Sequence, residues 1–194
     1  WAADAFRWPG HTSEDLFIVN KVLNEHDFFP LWPLRSLLHH FKLVRRYKGT
    51  LRATALGRSL AADPAKLFDM VAPIYIYRFV HDEYVRDGED QGVQGNWHIF
   101  LNLINAEARQ GCRLEHLIET LYGMPANDGY DMHYSNVRSA FRINVMRPLS
   151  WLGLLREEPE SGRMLSDGTY YKTPLWSACL HLETRSPPKL RLVH

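Results

Sequence analysis

The stretch LVRRYKGTLRATALGRSLAADP, residues 43–64, contains two short β-type segments around a Lys-Gly pair, followed by two helix starts. The pattern on both sides of that pair predicts a strand, a tight turn and a second strand. We expect Leu43 and Leu51 to face inward on this hairpin. The side chains expected to face solvent are Arg45, Lys48 and Arg52.

Helical patterns precede the hairpin. Apolar residues after Thr12 recur at helical spacing and predict a helix over about 13–25, with Thr12 as its N-cap. A second helix is predicted over 33–41, because Pro33 suits a first helical turn and the leucines that follow form one apolar face. The hairpin is therefore expected to follow a short helical region.

Helical patterns also follow the hairpin. The segment ALGRSLAA predicts a short helix, and Asp63 with Pro64 predicts the start of a longer one that Pro73 kinks or splits. Beyond residue 95 three more helices are predicted, the second of them closed by Gly123. In the third, the side chains expected to face inward are Met132, Val137, Phe141 and Val145.

The order of helix, strand, turn, strand and helix start occurs twice. LHHFKLVRRYKGTLRATALGRSL aligns with LSWLGLLREEPESGRMLSDGTYYKTPLWSACL, with an offset of 111 residues before the turn (Leu43 to Leu154) and 119 after it (Thr54 to Thr173). The second turn is longer, and loop length is the feature freest to change between copies. The sequence therefore predicts two similar units.

Three helices followed by a two-stranded hairpin is the order of a winged helix. KLVRRYKGTLRATALGRSLAA resembles a recurring winged-helix element, GLLxR followed by a turn and LTxxGxxLL, and departs from it at Lys42 and Ala53. The second copy keeps Gly153 but has Trp176 where the element has its later glycine. PLWPLRSLLHHFKLVRRYKGTLRATALGRSLAADPAKLFDMVA and NWHIFLNLINAEARQG also resemble the winged-helix-like helical region that accompanies the bacterial plasmid ORF-three-like family. This resemblance implies a fold and transfers no catalytic residues.

The expected fold is mainly α with small antiparallel β-hairpins, arranged as tandem winged-helix-like units. Composition sets the boundaries, because an aromatic opening, an acidic glycine-bearing stretch and a proline-bearing basic end separate the helical patterns. The predicted organisation is an N-terminal arm at 1–11, a first unit at 12–80, an acidic linker at 81–95, a second unit at 96–183 and a C-terminal tail at 184–194.

Bulk properties limit the possible partners. The formal net charge of the 194-residue chain is +1, so binding of an anionic partner requires charge to be segregated locally. No apolar run approaches the roughly 20 residues of a membrane span, and no signal-peptide pattern opens the chain. Cys112 and Cys179 lie outside any CxxC pattern, which favours a reducing, cytoplasmic setting. Because the chain begins at Trp1, we expect it to be a processed or truncated piece.

Positive charge is concentrated between Leu31 and Arg58, a segment with seven basic residues and no acid. In a winged helix, the third helix can enter the major groove of DNA while the wing contacts phosphates. About five phosphate contacts predict a log–log salt slope near −4 or −5. The residues predicted to contact double-stranded DNA are Arg35, Ser36, His39, Lys42, Arg45, Arg46, Lys48 and Arg52.

The second copy favours a different role. Its first strand runs into an acidic segment, LLREEPESGR, in which Glu157, Glu158 and Glu160 would repel phosphate. The alternative function is therefore a protein-interaction or oligomerisation module of a larger bacterial protein, with a protein partner or a second copy as its ligand. A plain solvated surface is the third interpretation of the basic segment.

No pattern of residues indicates catalysis or a resident cofactor. His39 and His40 point about 100° apart on a helix and chelate poorly. Cys112 and His116 have i, i+4 spacing, but no second pair completes a zinc site. GxSxG, HExxH and phosphate-binding glycine loops are absent from the sequence. We therefore expect no enzyme activity from this chain, no metal and no cofactor, although an enzyme whose chemistry lies in missing upstream sequence stays open.

Overall fold

The computed structural model describes residues 4, 13–18, 20–24, 27–81, 95–126, 131–158 and 168–182. These residues form helices and two small antiparallel sheets, which confirms a mainly α fold with small β-hairpins. Contacts divide the chain into two compact units, residues 1–78 and 79–194, as expected for tandem units.

Some predicted segments lie outside the described residues. These are the N-terminal arm apart from Asp4, the acidic linker between His81 and Gly95, and the C-terminal tail. The predicted bounds of the two units, 12–80 and 96–183, stay predictions.

The first unit consists of short helices around one exposed hairpin. Its elements are α1 (Ser13–Phe17), α2 (Leu31–His40), β1 (Val44–Tyr47), β2 (Thr50–Ala53), α3 (Ala55–Ala61) and α4 (Pro64–Tyr77). Helix α2 packs on β1, and α3 packs on α4. Helices α2, α3 and α4 each bury an apolar side chain, namely Leu37, Leu60 and Tyr75, and Leu43 is buried just before β1. Folding therefore removes apolar surface of each of these helices from water.

The second unit has a larger buried core. Its elements are α5 (Trp97–Glu107), β3 (Cys112–Arg113), α6 (Leu114–Tyr122), α7 (Met132–Phe141), a π-helical turn (Arg142–Met146), α8 (Arg147–Trp151), β4 (Leu155–Glu158), β5 (Thr169–Lys172) and α9 (Pro174–Cys179). Ile104, Leu117 and Leu149 are fully buried. Phe100 and Phe141 meet edge to face with ring centroids 5.3 Å apart, a favoured aromatic geometry.

Both hairpins follow the same kind of helix ending. In the first unit, the Leu43 N–H donates to the Leu38 carbonyl at 2.8 Å, and the Lys42 N–H donates to the His39 carbonyl at 3.0 Å. These two bonds define a Schellman ending, which requires a left-handed residue directly after the C-cap. Lys42 occupies that position with φ 54°. The chain thereby turns from helix to strand within two residues.

The second unit repeats this ending with a glycine. The Leu154 N–H donates to the Leu149 carbonyl and the Gly153 N–H donates to the Ser150 carbonyl, both at 2.9 Å. Gly153 has φ 73° and is the counterpart of Lys42. Glycine adopts this conformation without the steric cost that a Cβ imposes, so the second copy has the less strained ending.

The two hairpins also share their register. Arg45 lies opposite Arg52 in the first unit, and Arg156 lies opposite Tyr171 in the second. The counterparts are separated by the same offsets as in the sequence alignment, 111 residues before the turn and 119 after it. The predicted repeat of two hairpins is therefore confirmed residue by residue.

Two helices differ from their predictions. Helix α1 ends at Phe17, so the prediction of a helix over 13–25 is wrong beyond its first turn and a half. Farther along, the Asn24 N–H and side-chain amide both donate to Asp27 Oδ2, at 2.7 and 3.2 Å, and such local bonds compete with helix. Of the predicted kink or split at Pro73, the split is wrong, because α4 continues to Tyr77.

Three further details were not predicted correctly. Leu51 and Met132, both expected to face inward, are 46% and 58% exposed, because no described element covers those faces. Helix α2 begins at Leu31, two residues before the predicted start, since Pro33 is tolerated within a first turn. The two-residue strand β3 was not predicted; it pairs with β5 and extends the second hairpin into a three-stranded sheet.

Candidate nucleic-acid interface

Strands β1 and β2, residues 44–53, form what we term the basic ribbon. Lys48 and Gly49 connect the strands with φ values of 48° and 77°, which is the signature of a type I′ turn. The Thr50 hydroxyl donates to the Tyr47 carbonyl at 2.8 Å and closes the turn. Apart from half-buried Val44, every residue of both strands is exposed.

Register divides the basic ribbon into two faces. Residues directly opposite each other point to the same side, and successive residues alternate between sides. Arg45 and Arg52 therefore share one face, which also carries Tyr47, and we term it the arginine face. Arg46 and Leu51 form a pair on the other face, which we term the leucine face.

The cations of the arginine face are organised by an aromatic ring. The Arg52 guanidinium carbon lies 4.5 Å from the centroid of the Tyr47 ring, and Lys48 Nζ lies 5.5 Å from the same centroid. Both distances are within cation–π range. Among the described residues, no carboxylate forms an ion pair with Arg45, Arg46, Lys48 or Arg52.

Helix α2 contributes less than the sequence predicted. His39 and Lys42 are exposed, but Arg35 and Ser36 are half-buried. Pro33 and Leu37 are the helix positions that pack inward. The structure therefore brings together the four predicted residues of the hairpin, with Lys42 leading into β1, while Arg35 and Ser36 present only part of their surface.

Thr54 fixes the base of the basic ribbon. Its hydroxyl donates to the Lys42 carbonyl at 2.9 Å and accepts from the Gly57 N–H at 3.0 Å, so one side chain joins the ribbon to the start of α3. Arg58 adds a hydrogen bond from its guanidinium to the Ala53 carbonyl at 2.9 Å. A Cβ on Gly57 would lie 2.1 Å from the Leu43 carbonyl oxygen, so this close approach requires glycine.

In the second hairpin one face is covered, and the arginine of the exposed face has an acidic partner. Arg156 is paired with Glu158 at 2.8 Å, and its guanidinium lies 5.4 Å from the centroid of the opposite Tyr171 ring. Leu155 and Tyr170 are buried against the core of the second unit. The acidic strand predicted from the sequence is thus observed at Glu157 and Glu158, whereas Glu160 lies outside the described residues.

A polar cluster stabilises the sheet of the second unit. Lys172 Nζ donates to the Asn105 carbonyl and side-chain oxygens at 2.7 and 3.1 Å, and Trp176 Nε1 donates to Asn105 Oδ1 at 3.1 Å. Desolvation and the nearby Arg109 lower the pKa of Lys172. Burial, followed by the Glu107 charge, raises the pKa of the Cys112 thiol to about 12, so this cysteine is a poor nucleophile.

Sequence reasoning missed Tyr47 and Arg58 as parts of the interface. Tyr47 could have been found, because it lies two residues from Arg45 on the same strand and next to the turn. The Arg58 hydrogen bond could not, because it depends on where α3 places its first turn relative to β2.

Two further observations concern metals and membranes. Within the ranges the structure describes, no group of three or more His, Cys, Asp or Glu side chains could hold a metal ion. No helix in those ranges combines the length and apolar composition that crossing a bilayer requires. The cytoplasmic setting stays a prediction.

The chain is thus a two-unit, mainly helical protein with an exposed basic ribbon in its first unit. Residues 1–66 match the family model described as the Y4jL N-terminal domain, and residues 86–174 match the model described as the y4jL C-terminal domain. One match falls in each structural unit and each includes one hairpin. The chain is similar to y4jL proteins along most of its length.

A curated relative supports the same similarity. The uncharacterized protein y4jL of Sinorhizobium fredii (strain NBRC 101917 / NGR234) is 45% identical over 122 residues, which cover 63% of this chain and 55% of the relative. The match thus spans about half the length of that relative. No solved structure matches the chain. These findings give no support to the resemblance to winged-helix proteins or to the plasmid ORF-three-like family.

Proposed function

We propose that the first unit is a nucleic-acid-binding or regulatory module that contacts double-stranded DNA through the basic ribbon. The observation that carries this proposal is the set of four exposed, unneutralised cations on residues 44–53. Phosphate contacts by such cations supply most of the affinity in sequence-independent DNA binding. His39 in α2 adds an exposed hydrogen-bonding side chain, and Lys42 adds an exposed positive charge between α2 and the ribbon.

Helix α2 has a smaller role in this proposal than the ribbon. Sequence readout by a helix in the major groove needs several side chains free to reach base edges. Arg35 and Ser36 are half-buried, which leaves His39 and Lys42 as the exposed members of the predicted set. The proposal therefore assigns affinity to the ribbon and no defined target sequence to the helix.

The proposal is tested by charge reversal in the whole chain. A triple variant, Arg45→Glu, Arg46→Glu and Lys48→Glu, is compared with a control triple of exposed residues, Lys66→Glu, Arg78→Glu and Arg156→Glu. Both triples change the net charge by the same amount. Binding to a fluorescent duplex is measured by anisotropy at about 50 and 200 mM salt.

For the unaltered chain, we expect affinity to fall several hundredfold between the two salt concentrations, as a slope of about −4 to −5 requires. The ribbon triple abolishes binding and the control triple retains most of it. Absence of duplex binding at low salt, or equal losses in the two triples, contradicts the proposal.

A protein-contact or homodimerisation role of the second unit is the alternative. Its support is the exposure of large apolar side chains there, Ile99, Tyr122 and Met132, together with an acidic strand that repels phosphate. Light scattering tests it: a dimer mass that becomes monomeric on Met132→Ser supports homodimerisation. A monomer at every protein concentration contradicts homodimerisation, and failure to retain any partner in a pull-down contradicts the protein-contact role.

A further inference from the structure

We propose that the arginine face of the basic ribbon is a clamp for a phosphodiester group of duplex DNA, whereas the leucine face takes no part in holding that group. The inference rests on the proposed function and deepens it. It names the side chains that hold the phosphate, Arg45 and Arg52, and the side chain that orients one of them, Tyr47.

The first argument is geometric. Arg45 and Arg52 are directly opposite in an antiparallel pair, so their Cβ atoms are about 5 Å apart on the same side. Two guanidinium groups on adjacent strands can converge on one tetrahedral anion. Arginine is well suited to this task because its planar fork makes paired hydrogen bonds to phosphate oxygens.

The second argument is electrostatic. Like charges placed directly across a strand pair destabilise it. The strands that hold Arg45 and Arg52 contain no carboxylate, and no described residue forms an ion pair with either arginine. A bound phosphate removes this repulsion, so binding is favoured by the same charges that oppose folding.

The third argument concerns preorganisation. The Arg52 guanidinium carbon lies 4.5 Å from the Tyr47 ring centroid, which restricts the side chain before any ligand arrives. Lys48 lies near the same ring and adds a third cation at the end of this face. Restricting a long side chain in advance reduces the entropy that binding must remove.

The leucine face lacks these features. Arg46 is its one cation and lies opposite Leu51, which is apolar and exposed. A single arginine beside a leucine offers neither a second guanidinium nor an aromatic surface. The two faces of one four-residue strand pair therefore differ in chemistry although both are open to solvent.

Duplex DNA is the occupant that the ribbon's shape favours. The major groove of B-DNA admits a two-stranded ribbon, so the exposed arginine face can lie toward the phosphates that line the groove. A single strand offers the same phosphate chemistry without a groove. The experiment therefore includes both.

Arg45→Glu and Arg46→Glu form a matched pair, because they change the net charge equally, lie next to each other on β1 and differ only in face. Binding of the full chain is measured by anisotropy against a duplex and against a single strand of the same sequence. Thermal unfolding of each variant is recorded in parallel.

We expect Arg45→Glu to weaken duplex binding at least about tenfold more than Arg46→Glu, as loss of a charged hydrogen bond requires. Arg45→Glu should also raise the unfolding temperature, because it replaces a like-charge pair with an opposite-charge pair. Losing affinity while gaining stability separates binding from a merely structural role.

Equal weakening by the two variants, or a lower unfolding temperature for Arg45→Glu, overturns the clamp while leaving the proposed function standing. Tighter binding of the single strand than of the duplex overturns the choice of occupant. A chain that binds neither nucleic acid removes the proposed function and the clamp together.

Discussion

At equivalent positions of the two hairpins, Arg45 lies opposite Arg52 in the first unit and Arg156 lies opposite Tyr171 in the second. The two hairpins have the same backbone structure, including the helix ending that precedes each hairpin and the register of the strands. The surroundings are opposite: the first hairpin is exposed on both faces, and the second packs on the core as part of a three-stranded sheet.

The comparison shows that a shared backbone does not fix the role of a hairpin. In the second unit, Glu158 neutralises Arg156 and the buried Tyr170 ties the sheet to the core. In the first unit, no described residue pairs with Arg45 as an acid or covers it. Burial and charge pairing give one copy a structural role and leave the other copy open to an external ligand.

The largest expected effect comes from removing Trp176, the second-unit counterpart of Gly57. Trp176 is almost fully buried and donates to Asn105, so Trp176→Ala should reduce the free energy of unfolding by about 3–5 kcal/mol. Chemical denaturation, with hydrogen exchange read separately for each unit, measures the loss and its location. A loss of hydrogen-exchange protection confined to the first unit would contradict the placement of Trp176 in the core of the second unit.

Gly57 should show the opposite size requirement, because its position has no room for a side chain whereas the equivalent position in the second unit holds a tryptophan. Because a Cβ there would lie 2.1 Å from the Leu43 carbonyl oxygen, Gly57→Ala must push α3 away from the basic ribbon. We expect a loss of about 2–3 kcal/mol in the free energy of unfolding. Hydrogen exchange should increase around α3 and β1, while protection in the second unit is unchanged. A neutral substitution would show that this close approach is not required.

The threonines that end the two hairpins provide an intermediate test. Thr54 donates to Lys42 and also accepts from the Gly57 N–H, whereas Thr173 donates to the Gly153 carbonyl at 2.7 Å and makes no side-chain cap. Thr54→Val should cost about 1–2 kcal/mol and Thr173→Val about 1 kcal/mol. Denaturation midpoints of the two variants measure both losses. A larger loss of unfolding free energy for Thr173→Val than for Thr54→Val would contradict the stronger role of Thr54.

The smallest expected effects come from the left-handed residue after each helix ending. Lys42→Gly should stabilise the chain by about 0.5–1 kcal/mol, because glycine avoids the Cβ clash at φ 54°. Gly153→Ala should destabilise it by about 1 kcal/mol for the same reason. Thermal unfolding measures both, and shifts of the same sign would show that the two endings are not equivalent.

The repeated hairpins could be predicted because their signals are local. A Lys-Gly pair between strand-like segments predicts a tight turn, and Leu-aliphatic-Arg with a threonine after the second strand marks both copies. Asp63 at the start of α4 was recognised for the same reason, and its carboxylate accepts from the Lys66 N–H as an N-cap does. Capping and turn chemistry act within a few residues.

The remaining features depend on distant contacts. Strand β3 exists because Cys112 pairs with Tyr170, a partner that spacing within β3 cannot reveal. Leu51 was expected to be buried, but burial requires a covering element and none of the described residues supplies one. The two-residue turn at Lys48 and Gly49 places Arg45 opposite Arg52, whereas the cation–π contact with Tyr47 depends on side-chain positions that the sequence does not give.

The central claim is that the two hairpins share a backbone while the first one alone binds nucleic acid. Comparing Arg45→Glu with Arg156→Glu in the full chain tests it most directly, because the two residues are register counterparts and the net charge changes equally. Duplex affinity at low salt should fall at least about tenfold for Arg45→Glu and stay within about twofold for Arg156→Glu. Equal losses, or a greater loss for Arg156→Glu, would contradict the account.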